Sequence, residues 1–105
     1  MAEKPRGLAR RLMDLQREAL RLYDATKDTE ERRQLLEYCD TLAEQSNRII
    51  DANLNAATEE YRKVTTGIED ASEATREAIK DVKSTQAAIN AIAKLVDLAS
   101  KFAVL

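Results

Sequence analysis

Four carboxylates, Glu69, Glu73, Glu77 and Asp81, recur every fourth residue and would form one acidic ridge on a helix. Carboxylates at that spacing could hold a hard cation. Di-iron sites in helical bundles add a Glu-x-x-His motif to such a set, and this chain contains no histidine. The same lack removes the usual general base, the commonest metal ligand and the side chain that titrates near neutrality. Like charges four residues apart repel mildly, with Arg76 and Lys80 interspersed to relieve them. The ridge is therefore expected to be a solvated face first and a docking face for a basic protein second, with no metal.

Arg10, Arg17 and Arg21 lie on nearby rows of the first helical segment and could approach phosphates or an acidic partner. Through Tyr23 six basic residues stand against three acidic ones, whereas residues 24–86 carry 9 basic and 15 acidic. Asp14 sits between these arginines at ordinary intrahelical pairing distances, no stacking aromatics are interleaved, and the net charge is −2. A solvated face is again the first expectation, an acidic protein surface the second and nucleic acid the third.

Cys39, the only cysteine, excludes an intramolecular disulfide and a multi-cysteine metal site. It falls on an apolar face with Leu35, Leu36, Leu42 and Ala43, where a small buried hydrophobe is expected. The chain has no Gly-rich phosphate loop. Neither catalysis nor a cofactor is expected.

The elements that position these groups are helices. Only two Gly, one Pro and 4% aromatic residues accompany 34% charged residues in 105, the composition of long helices rather than sheets. From Ile50 a 4-3 spacing runs through Leu54, Ala57, Tyr61, Val64, Ile68, Ala71, Thr75, Ala78, Val82, Thr85, Ile89, Ile92, Val96 and Ala99 to Ala103. Fourteen of these sixteen positions are apolar, about twice what a chain 44% apolar supplies by chance. A period averaging 3.5 marks helices packed side by side through a narrow seam. The Ala-, Thr- and Glu-rich composition of residues 50–103 broadly resembles bacterial helical-hairpin proteins, including chemoreceptor signalling arms and helical secretion or toxin components. It carries no diagnostic motif.

A first helix is expected over 6–25, with Pro5 at its start and Leu8, Leu12, Leu15, Ala19 and Leu22 in the same spacing. Thr26-Lys27-Asp28 breaks it, and Asp28 with Glu31 forms a capping box for a second helix from about Thr29. Thr65-Thr66-Gly67 is then the weakest helix-forming point. Two chain paths compete: a hairpin with helices 29–65 and 68–104, or one continuous helix of roughly 110 Å. Apolar faces that are wide at 35–43 and 87–105 but narrow between Leu54 and Val82 favour the hairpin. The expected fold is thus all-α, with three antiparallel helices in one domain, residues 1–105. A base of 6–47 with 86–104 carries a coiled-coil-like arm of 48–85.

The function this suggests is a non-catalytic helical adaptor, scaffold or assembly subunit of bacterial or phage type, binding itself or another protein. Recognition would use Tyr61, Val64 and Ile68 near the arm's tip, flanked by Glu69, Glu73, Glu77 and Asp81. The second reading is a membrane-active or pore-forming protein using residues 87–105, where 14 of 19 are apolar. The third is nucleic-acid binding by the first helix. Residues 1–16 lack a continuous apolar stretch, so a cytoplasmic location is expected, with signal-independent export left open.

Overall fold

The computed structural model describes the backbone of residues 4–52 and 59–103 and the side chains of residues 7–48 and 59–101. It contains four packed α-helices: α1 (Lys4–Ala25), α2 (Thr29–Ala52), α3 (Glu59–Lys80) and α4 (Thr85–Ala103). The all-α expectation holds. The three-helix arrangement is replaced by a four-helix one, and neither a turn at 65–67 nor a continuous helix from 29 to 104 is present.

The first turn falls where its chemistry places it. Residues 26–28 are non-helical, and the Asp28 Oδ1 accepts from the Glu31 backbone N–H at 2.9 Å, which caps α2. Arg32 reaches back from α2 to close α1. Its guanidinium donates to the carbonyls of Tyr23 at 2.8 Å and Thr26 at 3.0 Å, and lies 4.0 Å from the Tyr23 ring centroid.

Thr65-Thr66-Gly67 sits inside α3 because tertiary packing outweighs a small propensity deficit. Gly67 lies against α4, where an added Cβ would come within 3.2 Å of Leu95 Cδ2 and 3.5 Å of Leu98 Cδ1. The glycine is an approach site between helices. Thr65 Oγ1 donates to the Tyr61 carbonyl at 2.9 Å, a bond compatible with an intact helix.

The actual break is at Asp81, whose extended backbone (φ −144°, ψ 102°) opens a 3₁₀ turn, Val82–Ser84. Asp81 Oδ1 accepts from the Lys83 backbone N–H at 3.1 Å, and Thr85 Oγ1 donates to the Val82 carbonyl at 2.7 Å. Val82, a seam position by its spacing, is 51% exposed, while Thr85 three residues later is fully buried. The turn is short enough that the 4-3 phase resumes in step on the far side, so spacing alone cannot reveal it.

Two hairpins result, α1–α2 and α3–α4. Gln16 Nε2 donates to the Cys39 carbonyl at 3.2 Å, which sets the antiparallel register of the first. The hairpins pack with α1 beside α3 and α2 beside α4. Along α1, Arg11 pairs with Glu69 at 3.7 Å and Glu18 with Arg76 at 3.0 Å, so α1 and α3 run parallel. Because each hairpin is antiparallel, α2 and α4 are parallel too. The helices α2 and α4 are thus neighbours that run in the same direction, whereas the expected hairpin made them antiparallel.

The bundle measures 39 × 19 × 19 Å, the length of one 24-residue helix at 1.5 Å per residue. No two-helix arm projects among the described residues. The seam side chains of Ile50, Leu54, Ala57 and Ala103, together with Phe102 and Leu105, lie outside the described residues.

One continuous core joins all four helices. The α1 helix supplies Leu8, Leu12, Leu15 and Leu22, α2 supplies Leu35 and Leu42, and α4 supplies Ile92 and Leu95, all at 0–1% exposure. Opposite them α3 presents smaller side chains, Val64, Ala71, Thr75 and Ala78, at 0–1%. Leucines on three helices thus face mainly small residues on the fourth, large against small, as close packing favours. Gln45, 4% exposed, links α2 to α4 by donating to the Val96 carbonyl and Ser100 Oγ, both at 2.9 Å. Among the described residues its Oε1 has no hydrogen-bond partner.

Candidate functional site

Arg17 and Arg21 of the basic row of α1 and Glu69 and Glu73 of the acidic ridge of α3, separate candidates in the sequence, lie across one groove between parallel helices, while Arg10, Glu77 and Asp81 lie outside it. Arg11, Asp14, Arg17, Glu18, Arg21, Glu69, Glu73 and Arg76 all line it. Four arginines meet four carboxylates, so the groove is internally neutralised.

Its centre is Glu18, which the sequence reading does not single out. Glu18 Oε1 accepts from Ser72 Oγ at 2.6 Å and Oε2 from Arg76 Nε at 3.0 Å, with the side chain only 21% exposed. A carboxylate satisfied by a hydroxyl and a guanidinium on another helix fixes the height of α1 on α3. Its partners lie 54 and 58 residues away, beyond any spacing rule. The other pairs are looser. Arg11–Glu69 and Arg17–Asp14, at 3.7 and 3.5 Å, join groups more than half exposed, and such pairs contribute about 0–1 kcal/mol.

The remaining candidates are placed as follows. Arg10, Arg21, Glu73 and Glu77 are exposed. Asp81 caps the 3₁₀ turn rather than extending the ridge. Val64 and Ile68, expected at an exposed tip, are core residues at 1% and 4% exposure, and Tyr61 packs half-buried against that core. Among the described residues no group of three or more Cys, Asp or Glu is arranged to hold a metal ion.

Cys39 is 2% exposed, and its Sγ donates to the Gln16 carbonyl at 3.7 Å. Burial, reinforced by the nearby Asp40 carboxylate, pushes the thiol up to about 11. Since the thiolate is the reactive form, Cys39 should resist an aromatic disulfide reagent at pH 8 in the native protein and react rapidly in urea. Equal rates in both would show that the thiol is not enclosed. Raised above its value of 9.0 in the unfolded chain, the thiol contributes stability that is intact below pH 9 and lost as pH climbs through 11.

The α4 apolar residues that a membrane role would need are turned inward: Ala88, Ile89, Ile92, Leu95 and Ala99 are at 0–2% exposure. No helix among the described residues is long and apolar enough to cross a membrane.

Besides Val82 on the 3₁₀ turn, the large apolar side chains exposed among the described residues form a row that spacing does not reveal. Met13, Leu20 and Leu36 are 41%, 38% and 44% exposed. At 3.6 residues per turn, Met13 and Leu20 share the flank of α1 that carries Gln16 toward α2. Leu36 lies on the flank of α2 that carries Cys39 toward α1. The three therefore border the outer seam of the α1–α2 hairpin. Met13 and Leu20 fall outside the 4-3 stripe, and Leu36 sits beside it, so a search for core positions either omits them or assigns them inward. Comparison with protein-family models, with curated proteins and with solved structures finds no match to this chain.

Proposed function

We propose that this protein is a non-catalytic helical interaction module, an adaptor, scaffold or assembly subunit that works by side-by-side helix packing. The observation that carries this reading is the row Met13, Leu20 and Leu36, held about two-fifths exposed on one two-helix face. Scattered single apolar residues on a surface are ordinary; three on one face of a hairpin, rimmed by charges, form the centre-and-rim pattern of an interface. The α1–α2 face takes the place of the expected arm tip, since Val64 and Ile68 are committed to the core.

The nucleic-acid reading has less support. Arg10, Arg17 and Arg21 alternate with Asp14 and Asp24 along α1, and Arg11 and Arg76 face carboxylates on the neighbouring helix.

Photo-cross-linking residues at positions 20 and 36, introduced singly in the cells that make the protein, test the proposal. Discrete adducts are expected at both, with none from a cross-linker at Thr66, an exposed position on α3. Absence of any discrete adduct at 20 and 36 would remove this face as an interaction site.

A further inference from the structure

Resting on that reading of the α1–α2 face, we infer that its partner is a second copy of the same face, related by a two-fold axis running along the helices. The argument is charge complementarity at matched heights. Residues 16 and 39 are level, bonded to each other in both directions. The helices are antiparallel with equal rise, so a step up α1 matches a step back along α2. Leu20 is thus level with residue 35, Arg17 with 38, and Asp24 with 31.

A two-fold axis along the helices keeps every residue at its own height while laying α1 of one copy over α2 of the other. Leu20 then meets Leu36 of the second copy, Arg17 meets Asp40, and Asp24 meets Arg33. Each of these lies within two residues, about 3 Å, of level, and the displacement has the same sign in all three. The two Leu20 and two Leu36 side chains gather around the axis, with opposite charges on either side.

A two-fold axis crossing the helices at right angles would instead set α1 on α1 and α2 on α2, so that Arg17 no longer faces Asp40. Asp24 and Asp40 carry no ion pair among the described residues, whereas Arg17 already pairs with Asp14 and Arg33 with Glu30 and Glu37 in its own copy, so the second copy would add a further carboxylate to each arginine. The whole bundle measures 39 Å by 19 Å in outline on any long side, so burying the roughly 800 Å² per partner of a stable interface would engage nearly the entire side.

Sedimentation equilibrium of the purified full chain tests this. The wild type is expected at twice its 11.8 kDa mass, and Leu36→Glu at the monomer mass with unchanged helical circular dichroism. Arg17→Glu alone and Asp40→Arg alone should each weaken the dimer by about tenfold or more, because each opposes like charges at two symmetry-related places. Mixed one to one, these two variants should form a heterodimer of near wild-type affinity, since every opposed pair is then of opposite sign. A wild type that stays monomeric at ~200 µM overturns the self-docking geometry, as does a Leu36→Glu dimer or a mixture no tighter than its components. A monomeric wild type whose cross-linker at position 36 still captures a discrete adduct would overturn only the self-docking. Loss of both would overturn the interaction reading with it.

Discussion

Ile68→Glu is expected to remove much of the protein's stability at room temperature. Ile68 is 4% exposed in the middle of α3, with Val64 and Ala71 buried beside it and Leu15 within the same core. The change removes an apolar side chain whose burial contributes about 1.5–3 kcal/mol. It also forces a carboxylate either to sit in the core without a partner or to take up a proton there, each costing several kcal/mol. A domain of this size has only about 5–15 kcal/mol to lose, and the combined effect consumes much of it. Thr66→Glu, two residues away on the exposed side of the same helix, should change stability by no more than about 0.5 kcal/mol. Urea unfolding followed by circular dichroism compares the two. An Ile68→Glu protein that melts like wild type would restore Ile68 to an exposed tip and sink the four-helix core described above.

The contrast with the expected arm shows what spacing can and cannot locate. The 4-3 stripe names Val64, Ile68, Ala71, Thr75 and Ala78 as packing positions, and each is buried. It does not say which helix they pack against, because a seam is compatible with any neighbour that presents a complementary stripe. That information resides in Gly67 against Leu95 and in Glu18 between Ser72 and Arg76. Both are contacts between residues far apart in the chain.

The turns divide the same way. Asp28 with Glu31 is a local capping signal, and α2 starts beside it. Asp81 is an equally local cap, but its place four residues after Glu77 makes it look like one more member of a helical ridge. Its neighbour Val82 keeps the seam in phase. Two correct regularities mask one turn, while the glycine that breaks no helix attracts it. Of the candidate surface, the charged rows are visible in the sequence, but their mutual neutralisation is not. The row of Met13, Leu20 and Leu36 becomes visible only when the faces left over after core packing are known.

Leu95→Ala is expected to lower stability by about 2–5 kcal/mol, and Gly67→Leu to restore part of that loss when added to it. Leu95 is fully buried on α4, and its Cδ2 occupies the position nearest to any Cβ built on Gly67. Truncating Leu95 opens space on the α4 side of this contact without moving the backbone of α3, which other core residues hold. In the wild-type background the new Cβ lies within 3.2 Å of Leu95 Cδ2, so the Leu95 side chain must shift before Gly67→Leu can be accommodated. Overpacking there should cost about 1–3 kcal/mol, more than offsetting the improved helix propensity. In the Leu95→Ala background the same leucine points into the vacated space and recovers buried apolar area. The double variant should therefore be more stable than the sum of the single losses by about 1–3 kcal/mol, the size of coupling found between residues in contact. The measurement is a double-mutant cycle in urea with a common slope. A chain that turned at 65–67 would keep Gly67 away from α4, and the two changes would then add independently. Strict additivity in that cycle would separate Gly67 from Leu95 and reopen the position of the turn.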